Sequence, residues 1–263
     1  MKKIFLSGAS SGIGRAIADL LIARGDEVWG TSRSPARIPS AAGMHPVALE
    51  LMDARSIEQA FEGALAEAGY FDVVINNAGA GDFGPFELNS EEALAKHFQL
   101  LVLAHVQLMR LALTAMRAQQ RGLIVNVTSL ASRLPVPFMA PYNAAKAAMA
   151  SYTMTAQLEL ADEKIRLVDL QAADIRTSFN DSVVKTGMEN PRVAKVWDEA
   201  DRNMKKAPKP KLVARRVLRL LDEKNPPPRI TVGDFFQAHI APFIFRFLPQ
   251  RLRVWGLKFY YGI

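Results

Sequence analysis

The chain has 263 residues, of which 49% are hydrophobic, and its formal net charge is +7. This length and composition predict one folded domain with a large core and exclude a mainly disordered chain. The absence of cysteine excludes disulfides and thiolate metal ligands, and four scattered histidines indicate no metal site. The positive charge fits a phosphorylated cofactor, whereas no zinc-finger or aromatic RNA-binding pattern supports nucleic acid as a partner.

Short apolar strands alternate with longer helices along the chain. The predicted strands are 3–7, 27–31, 46–50, 71–76, 122–127, 165–170 and a short last one at 229–232. The predicted helices are 12–24, a segment opened by a Ser56/Gln59 capping box, 89–116, 142–160 and 211–223. The alternation predicts an α/β fold, namely a single domain with a Rossmann-type doubly wound parallel sheet flanked by helices.

Two segments fall outside this alternation. Residues 173–210 are polar and Lys-rich, which predicts a substrate loop or lid. Residues 233–263 form an aromatic C-terminal extension mixed with Arg and Lys. Such an extension can pack on another subunit or the core, close a lipid-like pocket, or touch a membrane surface; packing is the favoured alternative. We find no cleavable leader and no uninterrupted apolar run of membrane-spanning length, and expect a cytoplasmic protein, with peripheral membrane contact as the second option.

A glycine-rich turn connects the first strand directly to the first helix. Its sequence is Gly8-Ala9-Ser10-Ser11-Gly12-Ile13-Gly14. Glycine lets the backbone approach a pyrophosphate closely, and the free N–H groups of a helix N-terminus favour its negative charge. The position of the turn in a βαβ unit therefore predicts dinucleotide binding.

Three further motifs follow in order. Asn76-Asn77-Ala78-Gly79 closes the fourth strand, Ser129 follows the fifth, and Tyr142-x-x-x-Lys146 begins the next helix. Together with the Gly-x-x-x-Gly-x-Gly turn, they make residues 3–177 resemble the short-chain dehydrogenase/reductase family. The resemblance implies an oxidoreductase that transfers hydride between a nicotinamide cofactor and a carbonyl or secondary alcohol. It also implies a homodimer or homotetramer.

The resemblance assigns roles to individual residues. Tyr142 is the predicted acid/base, Lys146 tunes Tyr142 and binds the nicotinamide ribose, and Ser129 polarises the carbonyl. The predicted cofactor-binding residues are Gly8, Ser10, Ser11, Gly12, Ile13, Gly14, Arg33, Glu50, Leu51, Asn77, Ala78, Gly79, Tyr142, Lys146, Ile175 and Thr177.

The end of the second strand favours NADP(H) over NAD(H). The sequence Gly30-Thr31-Ser32-Arg33 lacks the carboxylate that would accept hydrogen bonds from the ribose of NAD. The guanidinium of Arg33 instead offers donors that suit a 2′-phosphate. Glu50, followed by Leu51, stands where the family has an adenine-binding Asp.

The chain departs from the family pattern at two places. Leu101 stands where the family has an Asn that holds a proton-relay water, and Ala172-Ala173 replaces Pro-Gly after the sixth strand. These departures leave two alternatives open: a catalytically weakened, cofactor-sensing binding protein, or an epimerase or dehydratase that uses the same Tyr–Lys pair. Four residues near the motifs predict an apolar substrate pocket: Leu134, Val136, Phe138 and Met139.

Overall fold

A central sheet with helices on both faces accounts for most of the chain, and the computed structural model describes residues 1–161 and 163–263. The strands are β1 (Lys3–Leu6), β2 (Glu27–Ser32), β3 (Met44–Ala48), β4 (Val73–Asn76), β5 (Asp82–Phe83), β6 (Gly122–Ser129), β7 (Ile165–Ala172), β8 (Val184–Lys185) and β9 (Arg229–Val232). The helices are α1 (Gly12–Ala23), α2 (Ala54–Ala68), α3 (Glu91–Phe98), α4 (Ala104–Ala118), α5 (Ala140–Glu159), α6 (Pro191–Lys206), α7 (Lys211–Asp222), α8 (Ala241–Phe247) and α9 (Gln250–Tyr261).

The central sheet is parallel throughout and has the order β3-β2-β1-β4-β6-β7-β9. The chain runs outward from β1 to β3 on one side and from β4 to β9 on the other, so the order reverses between β1 and β4. In open parallel sheets a ligand crevice forms at this reversal, beyond the carboxyl ends of the strands. The predicted doubly wound fold is confirmed.

Each face of the sheet is covered by an apolar core. On one face, α1 and α7 bury side chains such as Leu21 and Val217 against β1 and β7. On the other face, α2 and α4 cover an aromatic cluster around Phe5, whose ring centre lies 5.1 Å from that of Phe61. Full burial of one such side chain contributes roughly 1.5–3 kcal/mol, so these two layers hold the strand ends in place.

Several predicted boundaries in the first half are wrong: β4 begins at Val73 instead of Phe71, and β3 and α2 also begin elsewhere. β3 begins at Met44, because Met44 pairs with Val28 of β2 and the register of the sheet decides where the strand starts. The Ser56 capping box does not form: α2 begins at Ala54, and the Asp53 carboxylate caps it by accepting a 2.9 Å hydrogen bond from the Arg55 N–H. The Ser56 hydroxyl instead accepts from the Glu50 N–H at 2.9 Å.

The predicted long helix spans Glu91–Ala118 and contains a π-helical turn at Gln99–Leu103 between α3 and α4. Ser90, one residue after the predicted start, caps it by accepting a hydrogen bond from the Ala93 N–H. By length and composition alone this helix meets the requirements for crossing a membrane, although Gln99, His105 and Arg110 interrupt its apolar run. Its buried side chains, Leu108 among them, pack on the sheet as those of a core helix do.

The segment 173–210 is more ordered than the predicted polar loop. β8 pairs with β5 in a two-stranded parallel sheet, and α6 follows, capped by the Asn190 side chain. α6 buries Val193, Val196 and Trp197, which occupy one face at helical spacing. The segment therefore forms a structured cover rather than a free loop.

Candidate active site

The glycine turn has the backbone geometry that a pyrophosphate requires. Gly8 and Gly12 have φ angles of +75° and +54°, in the left-handed region that favours glycine. A Cβ atom on Gly14 would lie 2.1 Å from the carbonyl oxygen of Gly8, so only glycine allows α1 to start so close to β1. The turn thus presents open backbone at the N-terminus of α1, which fits a dinucleotide phosphate.

One large cleft of about 1280 Å³ lies beyond the carboxyl ends of the strands. Every predicted cofactor-binding residue lines it except Gly14, whose role is packing. The three predicted catalytic residues line the same cleft. The volume exceeds the roughly 300–1,000 Å³ of an ordinary ligand pocket, so the cleft has room for a dinucleotide and more.

The Asn-Asn-Ala-Gly motif ties β4 to the glycine turn. The Asn77 amide donates to the carbonyl oxygens of Ser7 and Gly8, at 3.0 and 3.3 Å. The Ser7 hydroxyl in turn accepts from the backbone N–H groups of Asn77 and Ala78, at 2.9 and 3.1 Å. These four bonds hold the floor of the cleft across the reversal of strand order.

The candidate catalytic groups meet where β6 ends beside the first turn of α5. Ser129 is the last residue of β6; its hydroxyl accepts a 3.1 Å hydrogen bond from the Ala131 N–H and lies close enough to the Tyr142 phenol to act toward a lower pKa of Tyr142. Lys146 follows one helical turn after Tyr142; its Nζ atom lies 5.8 Å from the centre of the Tyr142 ring and donates a 3.0 Å hydrogen bond to the Val127 carbonyl oxygen. The serine, tyrosine and lysine predicted from motifs far apart in the sequence are therefore brought together.

Burial dominates the titration of this group. It raises the pKa of Tyr142 above its ordinary value; the nearby Ser129 hydroxyl opposes this and the negative charge of Asp174 adds to it. Burial also lowers the pKa of Lys146 to about 8, against the attraction of Asp169. The protein's own groups therefore keep the phenol protonated at neutral pH and suited to donate a proton, and the lowering of its pKa by Lys146 together with oxidised nicotinamide stays a prediction.

The end of the cleft beside β2 is lined by hydroxyl and guanidinium groups. Ser32, Arg33 and Ser34 lie there, together with Arg37, which the sequence analysis did not single out. Residues 30–37 contain no carboxylate. Glu50 lines the cleft as predicted, but its carboxylate also accepts a 2.9 Å hydrogen bond from the Met52 N–H.

Leu101 is fully buried in the π-helical turn. A Cβ atom built on Gly79 would lie 3.5 Å from Leu101 Cδ2 and 3.9 Å from Lys146 Nζ, so Leu101 and Lys146 flank the same glycine. One turn earlier, buried His97 packs against Tyr142 with 6.4 Å between ring centres, and its Nδ1 lies 2.9 Å from the Asp82 carboxylate. The helix therefore places the apolar Leu101 side chain near Lys146. It also places His97, paired with Asp82, beside the candidate acid Tyr142.

Beyond Tyr142 the cleft becomes apolar. Leu134, Val136 and Met139 line it as predicted, whereas Phe138 does not; it packs on Phe83, 5.7 Å between ring centres. The remaining wall comes from the C-terminal extension, which closes over the cleft. Its lining residues include Phe236, Ile244, Phe245, Leu248, Leu252, Leu257, Phe259, Tyr260 and Tyr261.

A hydrogen-bonded link attaches the extension to the body of the molecule beside the cleft. The Gln237 amide donates to the Asp174 carboxylate at 2.6 Å and to the Tyr260 hydroxyl at 3.2 Å. Asp174 lies two residues after the end of β7, where Ala172-Ala173 replaces the pattern typical of the family. No local pattern in the sequence indicates this link, because its three residues are far apart.

Comparisons with known proteins agree with this geometry. The family model described as short chain dehydrogenase matches residues 2–187. The chain is similar to the 3-ketodihydrosphingosine reductase of Bacteroides thetaiotaomicron, with 29% identity over 99% of this chain and 98% of the relative. It is also similar to the L-xylulose reductase of Homo sapiens, with 31% identity over 68% of this chain and 73% of the relative.

A solved structure extends the likeness to the fold. The short-chain dehydrogenase from Streptomyces avermitilis matches with a TM-score of 0.81 and 28% identity, covering 93% of this chain and 90% of that one. The 93% coverage extends the shared fold beyond residue 187, where the match of the family model ends, into the C-terminal part of the chain.

Proposed function

Because the chain belongs to the short-chain dehydrogenase family, we propose that it is an NADP(H)-dependent oxidoreductase that reduces the ketone of a long-chain, lipid-like substrate. The observation that carries the substrate proposal is the cleft wall: past Tyr142 it is built from the apolar side chains of the C-terminal extension. Membership of the family establishes that the chain is an oxidoreductase, and the cofactor and the substrate are the proposal.

In the proposed reaction the bound cofactor supplies a hydride to the carbonyl carbon. The Tyr142 phenol donates its proton to the carbonyl oxygen, and the Ser129 hydroxyl donates a hydrogen bond to the same oxygen. The raised pKa of Tyr142 keeps that proton in place until the oxygen becomes basic. The ammonium group of Lys146 then stabilises the tyrosinate that forms.

The preference for NADP(H) rests on the charge beside β2. Arg33 and Arg37 line the cleft where a ribose 2′-phosphate would bind, and guanidinium groups form paired hydrogen bonds with phosphate. A carboxylate at this position would repel the phosphate, and residues 30–37 have none. The glycine turn and Thr177 would hold the pyrophosphate end, and Lys146 the nicotinamide ribose.

The apolar wall favours a long chain over a sugar. A polar polyol would lose hydrogen bonds to water on entering a cleft lined by leucine and phenylalanine, whereas each buried CH₂ of an alkyl chain contributes about 0.8 kcal/mol. The Bacteroides relative is a reductase of a long-chain keto base by its name, and it matches almost the whole chain, the extension included. The human sugar reductase matches only 68% of the chain.

The test is a comparison of two ketones with the purified protein. NADPH oxidation is followed with 3-ketodihydrosphingosine and with L-xylulose, and the product is identified by mass. We expect kcat/KM to be at least about 100-fold higher for the long-chain ketone. Equal or faster reduction of L-xylulose would overturn the substrate proposal.

Two variants of α5 separate the reaction from binding. Tyr142→Phe is expected to lower kcat at least about 1,000-fold while NADPH still binds, because the phenol proton is lost and the ring stays. Tyr152→Phe removes an exposed hydroxyl from the same helix and is expected to change neither. NADPH binding without oxidation by any ketone would favour the cofactor-sensing alternative, and interconversion of epimers without net oxidation would favour the epimerase.

We also propose a homodimer formed through α4 and α5. Five large apolar side chains on or beside these helices are exposed: Phe98, Leu103, Tyr152, Met154 and Leu158. Leu101 and Leu108 of the same long helix are buried in the core and are not part of this surface. Analytical ultracentrifugation of wild type and Leu158→Ser tests the interface, since the variant is expected to dissociate more readily.

A further inference from the structure

The C-terminal extension exposes an unusually apolar surface. We call this the C-terminal surface; it consists of Phe235, Phe236, Phe243, Ile244, Phe247, Leu252, Val254, Trp255, Phe259 and Tyr260. Phe259 is 80% exposed and Phe247 67%, and α9 buries none of its residues. Soluble proteins rarely leave so many large apolar side chains together in water, and such patches mark contact sites.

This surface is held in a fixed shape. The Arg253 guanidinium donates hydrogen bonds to the Leu248 and Arg246 carbonyl oxygens, at 2.7 and 3.0 Å, and so joins α8 to α9. The Lys195 ammonium donates to the Gly262 carbonyl oxygen at 2.7 Å and fastens the end of α9 to α6. The exposed aromatic side chains are thus presented by an anchored helix pair.

A second cavity, of about 640 Å³, lies under α8 and contains four arginines. They are Arg133, Arg229, Arg246 and Arg253, and we call it the arginine cavity. Only Arg229 pairs with a carboxylate within residues 1–161 and 163–263, at 2.7 Å from Asp169.

Within the described residues, the guanidinium groups of Arg133 and Arg253 donate hydrogen bonds only to neutral groups, and that of Arg246 lies over the Phe247 ring. Arg133 donates to the Gln171 amide oxygen at 3.2 Å and to the Pro242 carbonyl oxygen at 3.4 Å. Burial, and then the positive charge of Arg229, lower the pKa of Arg133. Several cations around one cavity with a single carboxylate favour an anion between them, and phosphate is the anion whose geometry guanidinium groups match.

The arginine cavity, the cleft and the C-terminal surface adjoin one another. Leu134, Phe245 and Arg253 line both the arginine cavity and the cleft. Ile244 and Phe259 belong to the C-terminal surface and also line the cleft, so the apolar mouth of the cleft opens on that surface. A phosphate in the arginine cavity would therefore lie beside the place where an alkyl chain enters.

We propose that the C-terminal surface docks on a bilayer of anionic phospholipid, with a lipid phosphate group in the arginine cavity. Aromatic side chains interleaved with basic ones suit the membrane interface. Residues 233–263 carry four basic side chains, namely Arg246, Arg251, Arg253 and Lys258, and one acidic side chain, Asp234, which gives a net charge of +3. This charge complements anionic headgroups.

A second copy of the chain is a poorer occupant of the C-terminal surface. In a two-fold symmetric interface each surface meets itself, so the arginines of one copy would face those of the other. The exposed apolar side chains of α5, such as Leu158, provide a separate surface for self-association. Docking of the C-terminal surface on a bilayer is independent of the proposed reductase function. Only the entry of a lipid ketone through this surface rests on that function.

Vesicle co-sedimentation without any substrate tests the docking. The full chain is mixed with vesicles of phosphatidylcholine alone or with 30% phosphatidylglycerol, a composition chosen for the test. We expect binding to the anionic vesicles only, and weaker binding as salt rises. Because no reaction is measured, failure to bind would overturn the docking and leave the proposed reductase activity to its own test.

Matched variants separate the apolar and cationic contributions. Trp255→Ser with Phe259→Ser is expected to weaken vesicle partitioning by about tenfold or more, whereas Phe86→Ser, equally exposed but outside both the C-terminal surface and the proposed dimer interface, leaves it unchanged. Loss of one surface charge weakens vesicle partitioning about fivefold. Arg246→Gln, in the arginine cavity, is expected to weaken it by more than that. Arg251→Gln, on the same surface outside that cavity, measures that fivefold baseline. An equal effect of both variants would overturn the phosphate site.

Phosphate competition distinguishes the source of the anion. Inorganic phosphate is expected to displace the protein from vesicles more strongly than sodium chloride of equal ionic strength, because it occupies the arginine cavity. A rise in melting temperature with inorganic phosphate, together with no vesicle binding, would show a site for a soluble phosphate and overturn the membrane proposal. A dimer that is lost in the Trp255→Ser, Phe259→Ser variant, again without vesicle binding, would show a second copy on the surface and overturn it too.

Discussion

Lys146 and Tyr142 share one face of α5, with the Lys146 Nζ atom 5.8 Å from the centre of the tyrosine ring. Lys146 is buried and Tyr142 half-buried, and burial acts on them in opposite directions: it raises the pKa of the phenol and lowers that of the ammonium group to about 8. As pH rises, Lys146 therefore loses the positive charge that assists the phenol before the phenol loses its proton.

The first prediction concerns this pH dependence. Lys146 is protonated below its pKa of about 8 and neutral above it, so the rate of NADPH-dependent reduction is expected to fall as pH rises through about 8. The measurement is kcat/KM between pH 6 and 10 at constant ionic strength. Lys146→Met is expected to lose at least about 100-fold in rate at pH 7 and to show no such decline. A wild-type profile that stays flat to pH 10 would contradict the assigned role of Lys146.

The second prediction concerns proton supply past Leu101. Leu101 lies beside Lys146 in a position where a side-chain amide could hold a water, so Leu101→Asn is expected to raise kcat and reduce the solvent isotope effect. The same change buries an amide and is expected to lower stability by roughly 1–3 kcal/mol.

Leu108→Asn is the control for the second prediction. Leu108 is also fully buried in the same long helix but packs in the sheet core, so its variant carries a similar loss of stability without a gain in rate. If the two variants have the same kcat and isotope effect, proton relay through this position does not limit turnover.

The third prediction concerns the choice of cofactor. Arg33→Asp is expected to raise KM for NADPH about 10- to 100-fold and to improve the use of NADH, because a carboxylate repels the 2′-phosphate and accepts from ribose hydroxyls. Arg37→Ala tests the second guanidinium beside β2. Arg55→Ala, on α2 outside the cleft, is the control. If neither Arg33→Asp nor Arg37→Ala changes the ratio of KM for NADPH to KM for NADH, the basis for the NADP(H) preference is removed.

The fourth prediction compares two glycines. Gly14→Ala forces a Cβ atom to 2.1 Å from the Gly8 carbonyl oxygen, so we expect loss of cofactor binding and a lower melting temperature. Gly63 lies in α2 with no neighbouring atom within 4 Å of a Cβ, and Gly63→Ala is expected to stabilise the protein by about 0.5–1 kcal/mol. Thermal unfolding and NADPH titration of both variants check the contrast; tolerance of alanine at position 14 would show that the turn differs from the one described.

Local patterns were sufficient for the sheet and for the reacting groups. The strands alternate with helices of recognisable period, and motifs placed at strand ends converge because parallel strands end at one edge. The predicted Ser129, Tyr142 and Lys146 therefore lie together, although their catalytic roles stay predictions. α6 was missed even though Val193, Val196 and Trp197 have helical spacing, because its many charged residues masked that signal.

Features that depend on distant residues could not be predicted in this way. β3 begins two residues before the predicted start because pairing with β2 decides its register. The four arginines of the arginine cavity come from three separate parts of the chain, at Arg133, at Arg229 and at Arg246 with Arg253, and no sequence motif joins them. The aromatic extension was expected to pack on a subunit or the core. Tyr261 and Ile263 pack on a buried cluster, other side chains of the extension line the cleft, and packing on a second subunit stays a prediction. The cytoplasmic location stays a prediction.

The cleft reaches the surface at two ends. Arg33 and Arg37 are exposed at one end, and Ile244 and Phe259 at the other. In the proposed reaction, an alcohol product could therefore leave by the second opening while the dinucleotide stays bound at the first. The two ligands of the proposed reaction would each have a separate path to solvent.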